Sequence, residues 1–261
     1  ALSGFFADQR GIRWVPDVYE TPAQYRLNQS KTYHQLTSRG LECVLAQANR
    51  VVHSFHPTTP FQYGSDRKFL TNGSPVSRID PIYRTEEPLQ MVWVGSPRLD
   101  RGGEILVRAL ASISAEYDVH IYGETDQGVV DLASDLDVDD LLTFHGWVDH
   151  EEALDAIRAA TIGYAVLPPR TDWRYAPAIK IGEYLAGGTI PLVSAFPGSR
   201  YVAAEAGQYV DPRWDSVATD LTEIAALSVT ARRDRMEAAR KRGEEIPWEQ
   251  IRTRFAEAVV R

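Results

Sequence analysis

"QMVWVGSPRLDRGGEILVRALASIS", residues 90–114, passes from a short apolar run through a polar, glycine-bracketed loop into a helical pattern. In the last part Ile105, Leu106, Ala109, Leu110 and Ile113 fall on one helical stripe. The strand-like run returns as "DVHIYG" (118–123), "LLTFHG" (141–146), "IGYAVLP" (162–168) and "TIPLVS" (189–194), with helix-patterned segments between. Strands alternating with helices at this spacing predict βαβ units and a parallel sheet covered on both faces. The middle of the chain therefore reads as a doubly wound α/β domain.

Such sheets bind ligands beyond the carboxyl ends of their strands. The segments that fall there are "SPRLDRGG", "ETDQG", "WVDHEE", "PRTDWRYAPA" and "AFPGSR". They are rich in glycine, proline, charge and aromatic rings, so one rim is expected to collect the chemistry.

The flanks differ from this repeat. Residues 1–56 offer a strand in "IRWVPDVY", a long helix through "YHQLTSRGLECVLAQAN" and a strand in "RVVHSFH", which is a smaller α/β piece. A turn-rich connection, "TNGSPVSRIDPIYRTEEP", with Pro75, Pro81 and Pro88, reads as a hinge. Beyond about residue 213 the chain is helical and charged until Pro247. In the last helix, "PWEQIRTRFAEAVV", Ile251, Phe255 and Val259 recur every four residues, so that helix must dock on something.

The 261 residues are 44% hydrophobic and 25% charged, as in ordinary globular proteins. A net charge of -8 argues against a broad nucleic-acid surface. The single cysteine, Cys43, excludes an internal disulfide and a thiolate metal cluster, and its apolar run "LECVLA" predicts a buried, inert thiol. No run reaches the roughly 18–20 apolar residues of a membrane span and no signal peptide opens the chain. These features point to a cytoplasmic protein with no transmembrane segment, with peripheral membrane contact left open.

In this order, "FLTNGS" (69–74), "VGSPRLDRGG", "IYGE", "FHGWVDHEEAL" and "KIGEYLAGGTIPLVS" resemble the GT-B glycosyltransferases, specifically the retaining family-4-like group that uses nucleotide sugars. The resemblance covers most of residues 69–255. It implies a Rossmann-like nucleotide-sugar domain over 81–245 and the second half of an acceptor-side domain over 1–80. Residues 246–261 would form a C-terminal helix packing back on that acceptor side. It implies transfer of a sugar from a UDP-, GDP- or ADP-sugar to a glycan, lipid-linked or small-molecule acceptor, with retention and without a metal or other cofactor. The alternatives are a non-catalytic GT-B module or, more remotely, a sugar-nucleotide epimerase.

The site residues follow from that resemblance, position by position. Glu183 matches the glutamate that accepts hydrogen bonds from the donor ribose. A carboxylate can take two vicinal hydroxyls at once, and Gly182 beside it is expected to let the ligand approach. Read without the resemblance, Glu183 is half of an exposed Lys180–Glu183 pair one helical turn apart. With Pro177 in the first helical position, the free amides near Ala178 and Ile179 would face a diphosphate. In the "VGSPRLDRGG" loop Ser96 stands where the family often has an arginine aimed at the diphosphate and Arg101 where it has a lysine, with Arg98 as a further candidate. The resemblance implies that Arg98, Arg101, Lys180 and the helix start stabilise the departing diphosphate. Gly95, Glu124 and Trp147 fall on the donor side of the matching motifs. Tyr175 replaces a glutamate that touches the donor sugar in the family, and Tyr175 or Asp172 is a candidate to fill its place.

Two patterns suggest metal sites without supporting them. "DLDVDD" (135–140) has DxD spacing but precedes a strand, where an exposed acidic turn is expected. His53 and His56 are three apart in an apparent strand and so should face opposite ways.

Overall fold

The computed structural model describes residues 15–18, 31–59, 64 and 66–260, and only the backbone of 31–35, 37, 38, 171 and 172. Among the described residues three parallel strands form the first sheet, in the order β1 (Asp17–Val18), β2 (Val51–His53), β3 (Arg67–Phe69). Helix α1 (Lys31–Ala46) precedes β2, and Leu45 packs with Val18, Ala48, Val51 and Phe55 in a small core.

The second sheet is wholly parallel and has six strands: β4 (Leu89–Val94), β5 (Tyr117–Tyr122), β6 (Leu142–Gly146), β7 (Ile162–Ala165), β8 (Ile190–Ser194) and β9 (Gln208–Val210). Their spatial order, β6-β5-β4-β7-β8-β9, reverses between β4 and β7, and a crevice opens at such a reversal. Helices α2 (Gly103–Ala111), α3 (Gln127–Asp135), α4 (His150–Ala159), α5 (Thr171–Tyr175), α6 (Ile179–Gly187) and α7 (Pro197–Ala203) alternate with the strands. Helices α8 (Trp214–Ala225), α9 (Val229–Glu245) and α10 (Trp248–Val260) follow.

Both faces of the large sheet are covered, as the apolar runs require. On one side Leu106, Leu110, Val129 and Leu221 pack on Met91, Val119 and Ile121. On the other, Leu154, Ile157 and Tyr184 pack on Val92. Each fully buried aliphatic or aromatic side chain here stabilises the fold by about 1.5–3 kcal/mol relative to exposure. The packing leaves no slack at Gly163 in β7, where a Cβ would lie 2.4 Å from the Tyr184 ring. Gly163→Ala is expected to lower stability by about 1–3 kcal/mol, read as a lower urea midpoint at unchanged slope.

The connection between the sheets is fastened by α9. Buried Arg232 donates to the Thr85 carbonyl and to Glu87, and Arg240 donates to the carbonyls of Val76, Ile79 and Ala186. Ser74 Oγ donates to the Gly182 carbonyl at 2.7 Å, while its backbone bonds Ile246 and Trp248 and so seats the start of α10.

Several sequence expectations need correction. Strands β3 and β9 were not anticipated: "RKF" and "QYV" are short and partly polar. Residues 12–14 and 19 of the expected first strand lie outside the described residues. Cys43 is exposed on α1, because the helix turns Leu41 and Leu45 to the core, where Ala48 joins them just past its end. Strand β2 stops at His53, so alternation does not extend to His56, and both imidazoles flank Phe69. Pro177 precedes the helix it was expected to open: Ala178 is the N-cap of α6, and Gly188, with φ +67°, ends it.

Candidate functional site

At the reversal between β4 and β7 the structure encloses a cleft of about 480 Å³, within the usual range of ligand pockets. Gly95, Ser96, Arg101, Ala178, Ile179 and Lys180 line it, so six of the residues singled out from the sequence meet there. Trp93, Tyr164 and Trp173 contribute aromatic wall, while Ser54 and Asn72 reach in from the first sheet and the connection.

The loop after β4 is shaped by glycines. Gly95 has φ +139°, and a Cβ there would lie 2.7 Å from Lys180 Cε, so the lysine stem crosses a bare backbone. Leu99–Arg101 form one 3₁₀ turn that ends at Gly102, with φ +103° and no room for a Cβ against the Val166 carbonyl. A buried phenol ladder holds this loop: Tyr164 Oη donates to the Gly102 carbonyl at 2.8 Å and Tyr184 Oη to the Tyr164 carbonyl at 3.0 Å. Burial pushes both phenols above the usual tyrosine range, so they stay protonated donors.

Lys180 is the most perturbed cation of the site. Burial lowers its ammonium from the ordinary lysine value, Glu183 opposes that shift and Arg101 adds to it. Among the described residues neither Lys180 nor Arg101 is in an ion pair, although the Arg101 guanidinium lies 5.9 Å from the Trp173 ring. Two cations therefore face one cleft beside the amino end of α6, where backbone amides add positive potential.

Glu183 departs from its predicted setting. It is only 7% exposed, not part of a solvated pair, and its Oε1 accepts from His150 Nε2 at 3.0 Å. Lys180 acts on it only at longer range. Gly182 does not open a path for ligand either: a Cβ there would meet the Gly73 carbonyl oxygen at 2.4 Å, so this glycine lets α6 pack on the connection.

The remaining predicted residues divide. Arg98 is bonded to Asp100 at 3.1 Å and is not among the residues lining the cleft. Glu124 and Trp147 lie exposed on the loops after β5 and β6, Trp147 at 84% exposure. Tyr175 packs against the small core around Phe55, and its carbonyl accepts from the His56 amide, so it is not a wall of the cleft. The Asp172 side chain lies outside the described residues. The sequence reading missed His150, Trp173, Asn72 and Ser54. Three had a signal, since His150 and Trp173 sit in the strand-end segments "WVDHEE" and "PRTDWRYAPA" and Asn72 in "FLTNGS".

The four aspartates of "DLDVDD" are exposed between the end of α3 and β6, with Val138 turned into the core, and among the described residues no group of three or more acidic, histidine or cysteine side chains is placed to hold a metal. Among the described residues no helix is long and apolar enough to cross a membrane.

No protein-family model matches the chain, and no curated protein does. Solved structures do resemble it. Sucrose-phosphate synthase from Thermosynechococcus elongatus superposes at TM-score 0.76 and 18% identity, covering 98% of this chain and 70% of that one. WaaG, a glycosyltransferase involved in lipopolysaccharide biosynthesis, gives 0.72 and 17% over 94% of this chain and 74% of its own. Anabaena HepE, solved with UDP and glucose, gives 0.79 and 11% over 98% and 73%. The architecture is thus that of the GT-B glycosyltransferases.

Proposed function

We propose that this chain is a nucleotide-sugar-dependent glycosyltransferase of the retaining, family-4-like type. The observation that carries the reading is the convergence of Lys180, Arg101 and the start of α6 on one cleft at the strand-order reversal, with neither cation in an ion pair among the described residues. A UDP-, GDP- or ADP-sugar would lay its diphosphate against these groups. When the bond from the anomeric carbon to the diphosphate oxygen breaks, negative charge grows on the leaving group, and prearranged cations and amides stabilise it. Arg101 can do so bidentately. Glu183 would take the ribose hydroxyls, with Gly95 and Ser96 along the diphosphate and Glu124 and Trp147 on the outer donor rim. Arg98 would join only by leaving Asp100. No metal or other cofactor enters this reading. The acceptor, a glycan, lipid-linked group or small molecule, would approach from the side of residues 1–80, and the cytoplasm would be the site of action.

A second reading, a non-catalytic module that keeps the donor cleft, is favoured by Tyr175, which stands at the family's sugar-contacting position and packs into the small core. A thermal-shift panel of UDP, GDP, ADP and their sugars, run in a metal chelator, tests both. At a ligand concentration a hundredfold above Kd, stabilisation of about 2.7 kcal/mol is expected. No shift with any nucleotide at millimolar concentration rejects the donor cleft. A shift without turnover of any donor selects the non-catalytic reading.

A further inference from the structure

The cleft does not end at its first-sheet side. Ser54, Asn72 and Ile179 belong equally to a second cavity of about 590 Å³, which lies between the carboxyl ends of β2 and β3 and helix α10. Its walls are mostly apolar, from Val52, Leu70, Ile179, Trp248, Ile251 and Phe255, with Asp17, Thr71 and Arg252 as the polar part of the lining beside Ser54 and Asn72. Ile251 and Phe255 are two of the regularly spaced apolar residues of the last helix, and both border this space. Trp248 fixes one side, because Gly73 leaves no room for a Cβ against its ring.

The junction between the two cavities is polar. Neither the Ser54 hydroxyl nor the Asn72 side-chain amide makes a hydrogen bond within the protein among the described residues. Arg252, exposed at the edge, has no carboxylate within ion-pair distance among the described residues. A ligand-sized apolar space opening through two unused polar groups onto a cationic cleft suits a molecule with an apolar body and one hydroxyl end.

We infer that this second cavity is an acceptor subsite for an alcohol carried on an alkyl or aryl group, whose hydroxyl sits at Ser54 and Asn72 and faces the donor cleft. This rests on the glycosyltransferase reading and narrows its acceptor to an amphipathic molecule, in place of a wholly hydrophilic glycan. Helix α10 then forms one wall of the acceptor site.

The test uses the whole chain and two kinds of probe. Octyl β-glucoside and 4-nitrophenyl β-glucoside are titrated against free glucose by calorimetry, below the detergent's micelle concentration, while UDP, GDP and ADP are followed separately by thermal shift. Both glycosides are expected to bind at least about tenfold more tightly than glucose. Ile251→Trp, which fills the cavity, should remove that preference, and Phe255→Ser should weaken it. Both variants should keep the wild-type nucleotide shift, which also certifies their folding. Equal binding of glucose and the glycosides, or glycoside affinity unchanged in both variants, overturns the proposal. A nucleotide response with no glycoside binding overturns it too and leaves the donor reading standing. Glycoside binding with no nucleotide response supports the cavity as an apolar site and rejects the donor reading instead.

Discussion

Lys180→Ala is expected to lower turnover of the best-bound nucleotide sugar by about 10²–10³-fold, the cost of removing one prearranged group from developing charge. Nucleoside diphosphate affinity should also fall, while affinity for the bare nucleoside stays within about twofold, since only the former carries the anion. Folding gives the opposite sign. Lys180 is a half-buried cation without an ion pair among the described residues, so its removal should leave the melting temperature unchanged or higher.

The pH dependence separates these effects. Because burial lowers the folded Lys180 value below that of the unfolded chain, the unfolded chain binds more protons between the two values. Stability of the free protein therefore rises with pH through that window and is lost as pH falls through the folded value. Diphosphate binding needs the charged ammonium and runs the other way, weakening as pH rises toward the ordinary lysine value of 10.5. Lys180→Arg should flatten that alkaline loss of affinity. If Lys180→Ala turns over at more than a third of the wild-type rate, the lysine does not touch the leaving group.

The sheet was legible because its central strands β4, β7 and β8 are covered on both faces and therefore nearly uninterrupted in apolar residues, and because β4, β5 and β6 end at or beside glycines. Strands β3 and β9 escaped because an edge or half-covered strand as short as "RKF" or "QYV" carries no such run. The pairing of Arg98 was readable two residues away, in the "RLD" that joins it to Asp100. The exposure of Cys43 was equally readable, because Leu41 and Leu45 already occupy the inward stripe of α1 and Ala48 continues it just past the helix end.

The burial of Glu183 was not legible. Helical periodicity separates a covered face from a wet one, but α6 has the sheet on one side and packs against α4 and α9 on others. With every residue from Ile181 to Gly187 buried, no wet face remains for periodicity to mark. Its partner His150 lies 33 residues earlier, on the first turn of another helix. Only tertiary packing brings the two together.

That burial changes what the loss of Glu183 should do. If the carboxylate accepts from the ribose hydroxyls, Glu183→Ala removes a charge-assisted bond of about 1.5–3 kcal/mol, or roughly tenfold to a hundredfold in nucleotide affinity. The same change strips His150 Nε2 of its acceptor inside the fold, so stability should also drop, by about 1–3 kcal/mol in a urea titration. The half-exposed imidazole can turn to water, which keeps that cost moderate. Glu183→Gln retains the shape and one carbonyl acceptor, and should recover most of the stability but only part of the affinity. The decisive comparison pairs these variants with a donor nucleotide lacking both ribose hydroxyls. Wild type should bind it poorly, and Glu183→Ala should bind it as well as the normal nucleotide, because the two changes delete one contact. If Glu183→Ala still prefers the hydroxylated ribose by the wild-type margin, the carboxylate serves only to hold His150, and the ribose is read elsewhere.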